Sequence, residues 1–134
     1  MGTIVVGFVA NPEGKAALRR AAEEAELRHS RLVVVNSFRR AGQSHREDAT
    51  AAEIQLDEIR GELTAAGIEH EVRQLVRGQD PADDLISIAT EVNAEFIVIG
   101  LRKRSPVGKL ILGSNAQRVL LDAPCPVLAV KAAE

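Results

Sequence analysis

The segment from Gly100 to Asn115 combines glycines with positive charge, and proteins build phosphate sites from these two features. Its glycines are Gly100, Gly108 and Gly113, and its cations are Arg102, Lys103, Arg104 and Lys109. Glycine lets a backbone approach a ligand closely, and the free amides at a helix start attract anions. The sequence therefore predicts a phosphate-binding loop that ends at Ser114. The alternative is a solvated cationic loop, because charge runs commonly face water.

Other chemistries find little support in the sequence. Gly108-Lys109 resembles the end of a P-loop, but Lys103 stands where the first glycine belongs, and Leu110 replaces the residue that binds magnesium. The histidines are scattered, and no spacing is typical of a metal site or of a nucleophile with its base. Cys125, between two prolines, is interpreted as a packing residue. We therefore expect a binding protein and not an enzyme.

Composition limits the remaining classes. The chain has 134 residues, of which 46% are hydrophobic, enough for one domain with a sizeable core. A net charge of −2 and the lack of Trp and Tyr argue against a nucleic-acid partner. No apolar run approaches the roughly 20 residues that span a bilayer, so no membrane partner is expected. The single cysteine suits a reducing compartment, and we expect a cytoplasmic protein.

Short apolar runs predict the strands. Near-continuous runs, typical of strands covered on both faces, occur at Ile4–Val9, Leu32–Val35, Phe96–Ile99 and Val127–Val130. The segment Ile68–Val76 alternates instead, which favours an edge strand.

Helix signals lie between these runs. Asn11 and Pro12 are typical of a capped first helix, and Gly67 is expected to end the second. Asp80 before Pro81 predicts a capped third helix. Ser114-x-x-Gln117 has the form of a capping box for a fourth.

The order of elements predicts an α/β fold. Five strands separated by four helices, with right-handed crossovers, give a doubly wound parallel sheet. We expect the Rossmann-like or flavodoxin-like strand order 3-2-1-4-5, with helices on both faces. Such sheets bind ligands beyond the carboxyl ends of the strands, where the strand order reverses. The loops at that point would be Val9-Ala10-Asn11 and the glycine segment.

Over essentially its whole length, residues 1–134, the chain resembles the universal stress protein family. The resemblance is carried by the Gly78–Ala82 turn, the strand Phe96–Gly100, the pair Gly113-Ser114 and the ending Ala123–Val130. It implies a stress-response role and a homodimer that pairs through the last strand, Val127–Lys131. The protein partner in such a response is not implied.

Some members of this family bind ATP through Gly-x-x-Gly, nine further residues, then Gly followed by Ser or Thr. Gly100 and Gly113-Ser114 match this motif, whereas Lys103 stands at the second glycine. Val9 stands where nucleotide-binding members carry Asp. The resemblance implies ATP, with Mg²⁺ accompanying it, as the ligand. The residues that would hold it are Val9, Ser37, Ile99, Gly100, Arg102, Lys103, Gly113, Ser114 and Asn115.

Two binding functions stay open, besides an enzyme, for which the resemblance to some relatives implies slow ATP hydrolysis at most. In the first, the protein binds an adenine nucleotide in the crevice between the first-strand loop and Gly100–Ser114, and Lys103 adds a charge-assisted contact of roughly 1.5–3 kcal/mol. In the second, Lys103 and Val9 disable that crevice, and the protein is a homodimeric stress or interaction protein without nucleotide.

Overall fold

The structure is a computed structural model and describes residues 2–39, 45–77, 80–101 and 113–132; the side chains of residues 37–39, 45–52 and 76–77 lie outside the description. Strands and helices alternate along the chain. The strands are β1 (Thr3–Gly7), β2 (Arg31–Arg39), β3 (His70–Arg77), β4 (Phe96–Leu101) and β5 (Val127–Lys131). The helices are α1 (Pro12–Arg28), α2 (His45–Ala65), α3 (Pro81–Glu91) and α4 (Ser114–Asp122).

The sheet is parallel throughout, with the order β3-β2-β1-β4-β5. β1 lies at its centre, where Val5 is in register with Val33 on one side and Ile97 on the other. The strand order therefore reverses between β1 and β4. The predicted doubly wound fold is confirmed, and so is the edge position of β3.

Both faces of the sheet are covered by helices. Ile4 and Val6 face α1 and α2, whereas Val5 faces α3 and α4, and all three are fully buried. A strand in this position needs an apolar side chain at every residue, which explains the continuous runs in the sequence.

Two helix ends are as predicted. The side chain of Asn11 accepts a 2.7 Å hydrogen bond from the amide of Gly14, and Pro12 is the first residue of α1. Gly67 follows α2 with φ of +74°, a left-handed conformation that glycine adopts most readily because it has no Cβ.

Two predicted caps are wrong. The residue that precedes the first turn of α4 is Gly113, and its carbonyl accepts the amide of Gln117 at 3.0 Å. Ser114 is therefore already inside the helix and forms no capping box. Asp80 does precede α3, but its side chain makes no capping hydrogen bond. Its carboxylate lies instead 3.8 Å from Arg118 Nη1.

β1 ends two residues earlier than predicted, and this shapes the loop beyond it. The amide of Phe8 still donates to the carbonyl of Val35 at 2.9 Å. The carbonyl of Val9, however, accepts the amide of Asn11 at 2.8 Å, so the chain has already turned. Val9 is thus a loop residue beyond the carboxyl end of the strand.

Candidate functional site

A cleft of about 280 Å³ opens beyond the carboxyl ends of β1 and β4, where the strand order reverses. The first turns of α3 and α4 form its other walls. The described residues that line it are Gly7, Phe8, Val9, Asn11, Val35, Pro81, Ala82, Leu85, Ile99, Gly100, Asn115, Ala116 and Val119. This is the position at which doubly wound sheets bind ligands.

The loop after β1 is fixed from two sides. The buried Asn36 on β2 donates its side-chain amide to the carbonyl of Phe8 at 2.9 Å. On the other side, a Cβ at Gly14 would lie 1.9 Å from the carbonyl oxygen of Val9, so the start of α1 touches the loop directly. The side chain of Val9 is consequently held at the cleft, where it is 50% exposed.

The two motif glycines differ in what surrounds them. A Cβ at Gly100 would lie 2.2 Å from the carbonyl oxygen of Glu13, so close packing of α1 against β4 excludes a side chain there. A Cβ at Gly113 would meet no atom within 4 Å among the described residues. Gly113 also has φ of −69° and ψ of 164°, which any residue adopts. Packing therefore explains Gly100, whereas no contact among the described residues calls for glycine at 113.

An ion-pair cluster joins the two helices that form the outer walls. Arg118 on α4 places Nη2 2.6 Å from Oδ1 of Asp83 on α3, and its Nε lies 3.6 Å from Oδ2 of Asp122. The side chains of Arg118 and Asp83 are 46% and 39% exposed, so water and salt screen the pair. The cluster ties the middle of α4 to the start of α3 outside the described lining of the cleft.

The described lining is mostly apolar and contains no charged side chain. Its polar side chains are those of Asn11 and Asn115. The Oδ1 atom of Asn11 accepts one hydrogen bond from the amide of Gly14. Such a slot suits a flat, weakly polar group, while the amides at the start of α4, next to Asn115, suit an anion.

Other kinds of site are not found in the part of the chain that the structure describes. No group of His, Cys, Asp or Glu there is arranged to hold a metal ion. The helices of that part are too short or too polar to cross a membrane. The charged groups with shifted pKa values lie outside the lining: the hydrogen bond from Arg73 lowers the pKa of Glu71 and that of Glu91. Burial raises the pKa of the Cys125 thiol.

The structure brings together part of the predicted site. Val9, Ile99, Gly100 and Asn115 line the cleft, and Gly113 and Ser114 directly precede Asn115 at the start of α4. Ser37 belongs to β2, in register with Leu75, and its side chain lies outside the description. Arg102 and Lys103 also fall outside the described residues.

Sequence reasoning missed the walls that the helices supply. Pro81, Ala82 and Leu85 of α3 line the cleft, as do Ala116 and Val119 of α4. Helical periodicity places Leu85 on the inward-facing side of α3, but it does not separate core contacts from cleft contacts. The available signal was the helix start at Pro81, which must lie at the same edge of the sheet as the loop after β1.

Comparison with known proteins places the chain among close relatives. The sequence profile of the universal stress protein family matches residues 1–131. A universal stress protein of Mycolicibacterium smegmatis is 43% identical over 128 residues, which is 96% of each chain. A solved universal stress protein of Archaeoglobus fulgidus is 42% identical, with a TM-score of 0.82 over 98% of this chain and 99% of that one.

Two further solved structures contain nucleotides. A universal stress protein of Archaeoglobus fulgidus in complex with dAMP is 36% identical, with a TM-score of 0.77 over 98% of each chain. A universal stress protein in complex with cAMP is 26% identical, with a TM-score of 0.75 over 98% of each chain. Sequence profile, identity and fold agree over nearly the full length: the chain belongs to the universal stress protein family.

Proposed function

We propose that this protein binds an adenine nucleotide in the cleft between α3 and α4, in a stress-response role. The observation that carries the proposal is the pairing of an apolar slot with a helix start at Gly113, where no packing contact among the described residues calls for glycine. An adenine ring fits the slot, and a phosphate fits the adjoining amides. The relatives solved with dAMP and cAMP support the same ligand class.

The proposal assigns a part to each predicted residue. Val9 and Ile99 contact the base or sugar through apolar surface. Gly113, Ser114 and Asn115 present backbone amides to the phosphate, with the helix dipole behind them. Gly100 acts indirectly, since its missing side chain lets α1 close against β4.

The same proposal extends to cationic residues of the glycine segment. Arg102 and Lys103 follow β4 in the chain and would add positive charge near the phosphates. The motif match implies ATP with Mg²⁺ as one such ligand. Mg²⁺ would then be held chiefly by the phosphates, because it keeps several waters and few protein ligands when bound to a nucleotide.

Adenine is the group that the relatives' ligands have in common. dAMP has a 3′-hydroxyl and lacks the 2′-hydroxyl, whereas cAMP has a 2′-hydroxyl and its 3′-oxygen is esterified. The two ligands therefore share the base and a 5′-phosphoryl group but no free sugar hydroxyl. The base and the phosphate are the features for which the cleft offers an apolar slot and helix amides.

Calorimetric titration of nucleotide-stripped protein tests the proposal, with AMP and with ATP plus Mg²⁺. Wild type is expected to bind at least one of them at micromolar concentration. Asn115→Trp, which fills the cleft from an exposed position of α4, is expected to abolish binding. Leu121→Trp is the matched control, because Leu121 lies on the same helix, is 82% exposed and is not part of the lining. Absence of binding to wild type, or equal binding by both variants, would contradict the proposal.

We further propose that two copies of the chain pair through β5. β5 is an edge strand of this sheet. The amide of Ile97 donates to the carbonyl of Pro126, and alternation along the strand then turns the amide of Ala129 away from β4. The backbone N–H and C=O groups that point outward from an edge strand can pair with another strand.

Light scattering coupled to gel filtration tests this pairing. Wild type is expected to run as a dimer and Ala129→Pro as a monomer, because proline removes the outward amide and its ring crowds the approaching strand. Circular dichroism checks that the variant retains its fold. A folded variant that remains fully dimeric would show that another surface forms the interface.

A further inference from the structure

Asn36 is a polar residue in a part of β2 that is otherwise apolar and buried. The four residues before it, Leu32–Val35, are at most 2% exposed, and Asn36 itself is 3% exposed. Burying a side-chain amide costs free energy that an apolar side chain does not cost. Packing of the core therefore does not account for an amide at this position, and its hydrogen bond indicates what the amide does.

The amide of Asn36 acts on the loop that follows β1. The register between β1 and β2 ends at the pair Gly7 and Val35. Just beyond that pair, Nδ2 of Asn36 donates a 2.9 Å hydrogen bond to the carbonyl oxygen of Phe8. A carbonyl oxygen only accepts hydrogen bonds, so the contact also fixes which end of the side-chain amide faces the loop. The side chain thus attaches the loop to β2 where the two strands separate.

The loop attached in this way forms one wall of the cleft. Phe8, Val9 and Asn11 line the cleft, whereas Asn36 does not belong to the described lining. On the other side of the loop, a Cβ at Gly14 would lie 1.9 Å from the carbonyl oxygen of Val9, so α1 blocks movement in that direction. The hydrogen bond from Asn36 restrains the same loop from the side of β2, one residue before Val9.

We propose that Asn36 is a positioning residue of the nucleotide site, which holds the loop after β1 in the shape that binds the ligand without touching the ligand itself. The inference rests on the proposed function and extends it to a buried residue behind the cleft. A loop that is already in its binding conformation loses less conformational freedom when the ligand arrives. Without the donor, only a fraction of the molecules has the competent loop, and the apparent affinity falls by that fraction.

Asn36→Leu removes the donor and keeps the branched shape of the side chain. Calorimetric titration with AMP is expected to show binding about three- to tenfold weaker than in wild type, the change that one neutral hydrogen bond supports. Asn36→Ser, whose shorter side chain does not reach Phe8, is expected to show the same loss and replaces Asn36→Leu if that variant does not fold.

Ser30→Ala is the matched control. Ser30 is 5% exposed and directly precedes β2, about 20 Å along the strand from Asn36. Its hydroxyl donates a 2.6 Å hydrogen bond to Oε1 of Glu95, so the variant also loses a bond of a buried polar side chain, at the opposite end of the sheet from the cleft. Its affinity for AMP should equal that of wild type. Urea denaturation checks that each variant is folded under the conditions of the titration.

Amide hydrogen exchange of the ligand-free protein separates positioning from a general loss of stability. The amide of Asn11 donates to the carbonyl of Val9 within the loop, and the amide of Val5 in the central strand serves as the reference for global unfolding. Relative to Val5, we expect Asn11 to exchange at least about fivefold faster in Asn36→Leu than in Ser30→Ala. Addition of AMP should restore its protection.

Each outcome decides one point. Wild-type affinity in a folded Asn36→Leu variant overturns the inference and leaves the proposed function intact. An equal loss of affinity in Ser30→Ala also overturns it, because affinity would then follow stability and not the position of the loop. Unchanged exchange of Asn11 in Asn36→Leu refutes the hold on the loop without reference to any ligand. Failure of wild type to bind AMP, with faster exchange of Asn11 in the variant, overturns the assignment to a nucleotide site.

Discussion

Alanine at Gly100 and at Gly113 should have opposite effects, because the two glycines serve different purposes. A Cβ at Gly100 would stand 2.2 Å from the oxygen and 2.6 Å from the carbon of the Glu13 carbonyl. Ordinary contacts begin near 3.4 Å, so the overlap exceeds 1 Å. The obstacle is backbone in the first turn of α1, which the Asn11 cap holds in place. Either α1 or the end of β4 must move.

The size of each effect follows from these surroundings. Overpacking of this kind typically costs about 1–3 kcal/mol, and we expect Gly100→Ala to lower the free energy of unfolding by that amount. Gly113→Ala meets nothing among the described residues and keeps an allowed backbone conformation. Alanine restricts the unfolded chain more than glycine does. The free energy of unfolding of Gly113→Ala should therefore equal that of wild type or be higher by about 0.4–1 kcal/mol.

Urea denaturation followed by circular dichroism gives both stabilities, and titration with AMP gives both affinities. We expect Gly113→Ala to keep its stability and lose nucleotide affinity, because a methyl group then stands where the phosphate approaches the amides of α4. Gly100→Ala unfolding within about 0.5 kcal/mol of wild type would refute the packing argument. A Gly113→Ala variant that binds AMP with wild-type affinity would refute the proposed role of Gly113 in nucleotide binding.

Three further predictions concern contacts outside the lining or at its edge. Asn11→Ala removes the cap of α1 and should lower the free energy of unfolding by about 1 kcal/mol in urea denaturation; an unchanged midpoint would contradict the capping role. Arg118→Gln breaks the pair with Asp83, and nucleotide affinity should fall by up to about fivefold at low salt, the difference from wild type vanishing in 1 M NaCl. Hydrogen bonding from Arg73 lowers the pKa of Glu71 below its ordinary 4.5, so the stability that it contributes is present above that pH and is lost as the pH falls through the lowered value. Glu71→Gln should therefore weaken the acid dependence of the unfolding midpoint as the pH falls below 4.5, and an unaltered profile would argue against it.

The fold could be predicted because its signals are local and redundant. The run around Val5 is apolar at every position, which only a strand buried on both faces requires, and Asn11-Pro12 and Gly67 mark helix ends by backbone chemistry alone. The caps at Asp80 and Ser114 failed for a different reason. The Asp80 carboxylate lies near Arg118, a tertiary contact that local sequence does not contain, and α4 begins one residue earlier than the capping box implies, with Gly113 at the capping position.

The site was predictable only where it coincides with loops at the switch in strand order. Val9, Gly100 and Asn115 follow from topology, since the ends of β1 and β4 and the start of α4 must meet there. Ala82 and Leu85 line the cleft because of the distance between α3 and the sheet. The hydrophobic periodicity of the sequence does not specify that distance. The sequence likewise does not show why residue 100 is glycine, because a side chain there would clash with the carbonyl of Glu13, a residue far away in the chain.

Nuclear magnetic resonance of the ¹⁵N-labelled protein titrated with AMP tests the central claim most directly. If AMP binds in the cleft, shift changes concentrate on the amides of the residues that line it, such as Gly7, Val9, Ala82 and Ala116. The groove between α1 and α2, around Ile59, serves as the internal comparison and should stay unchanged. Changes centred on that groove, or none at saturating AMP, would contradict nucleotide binding at the β1–β4 cleft.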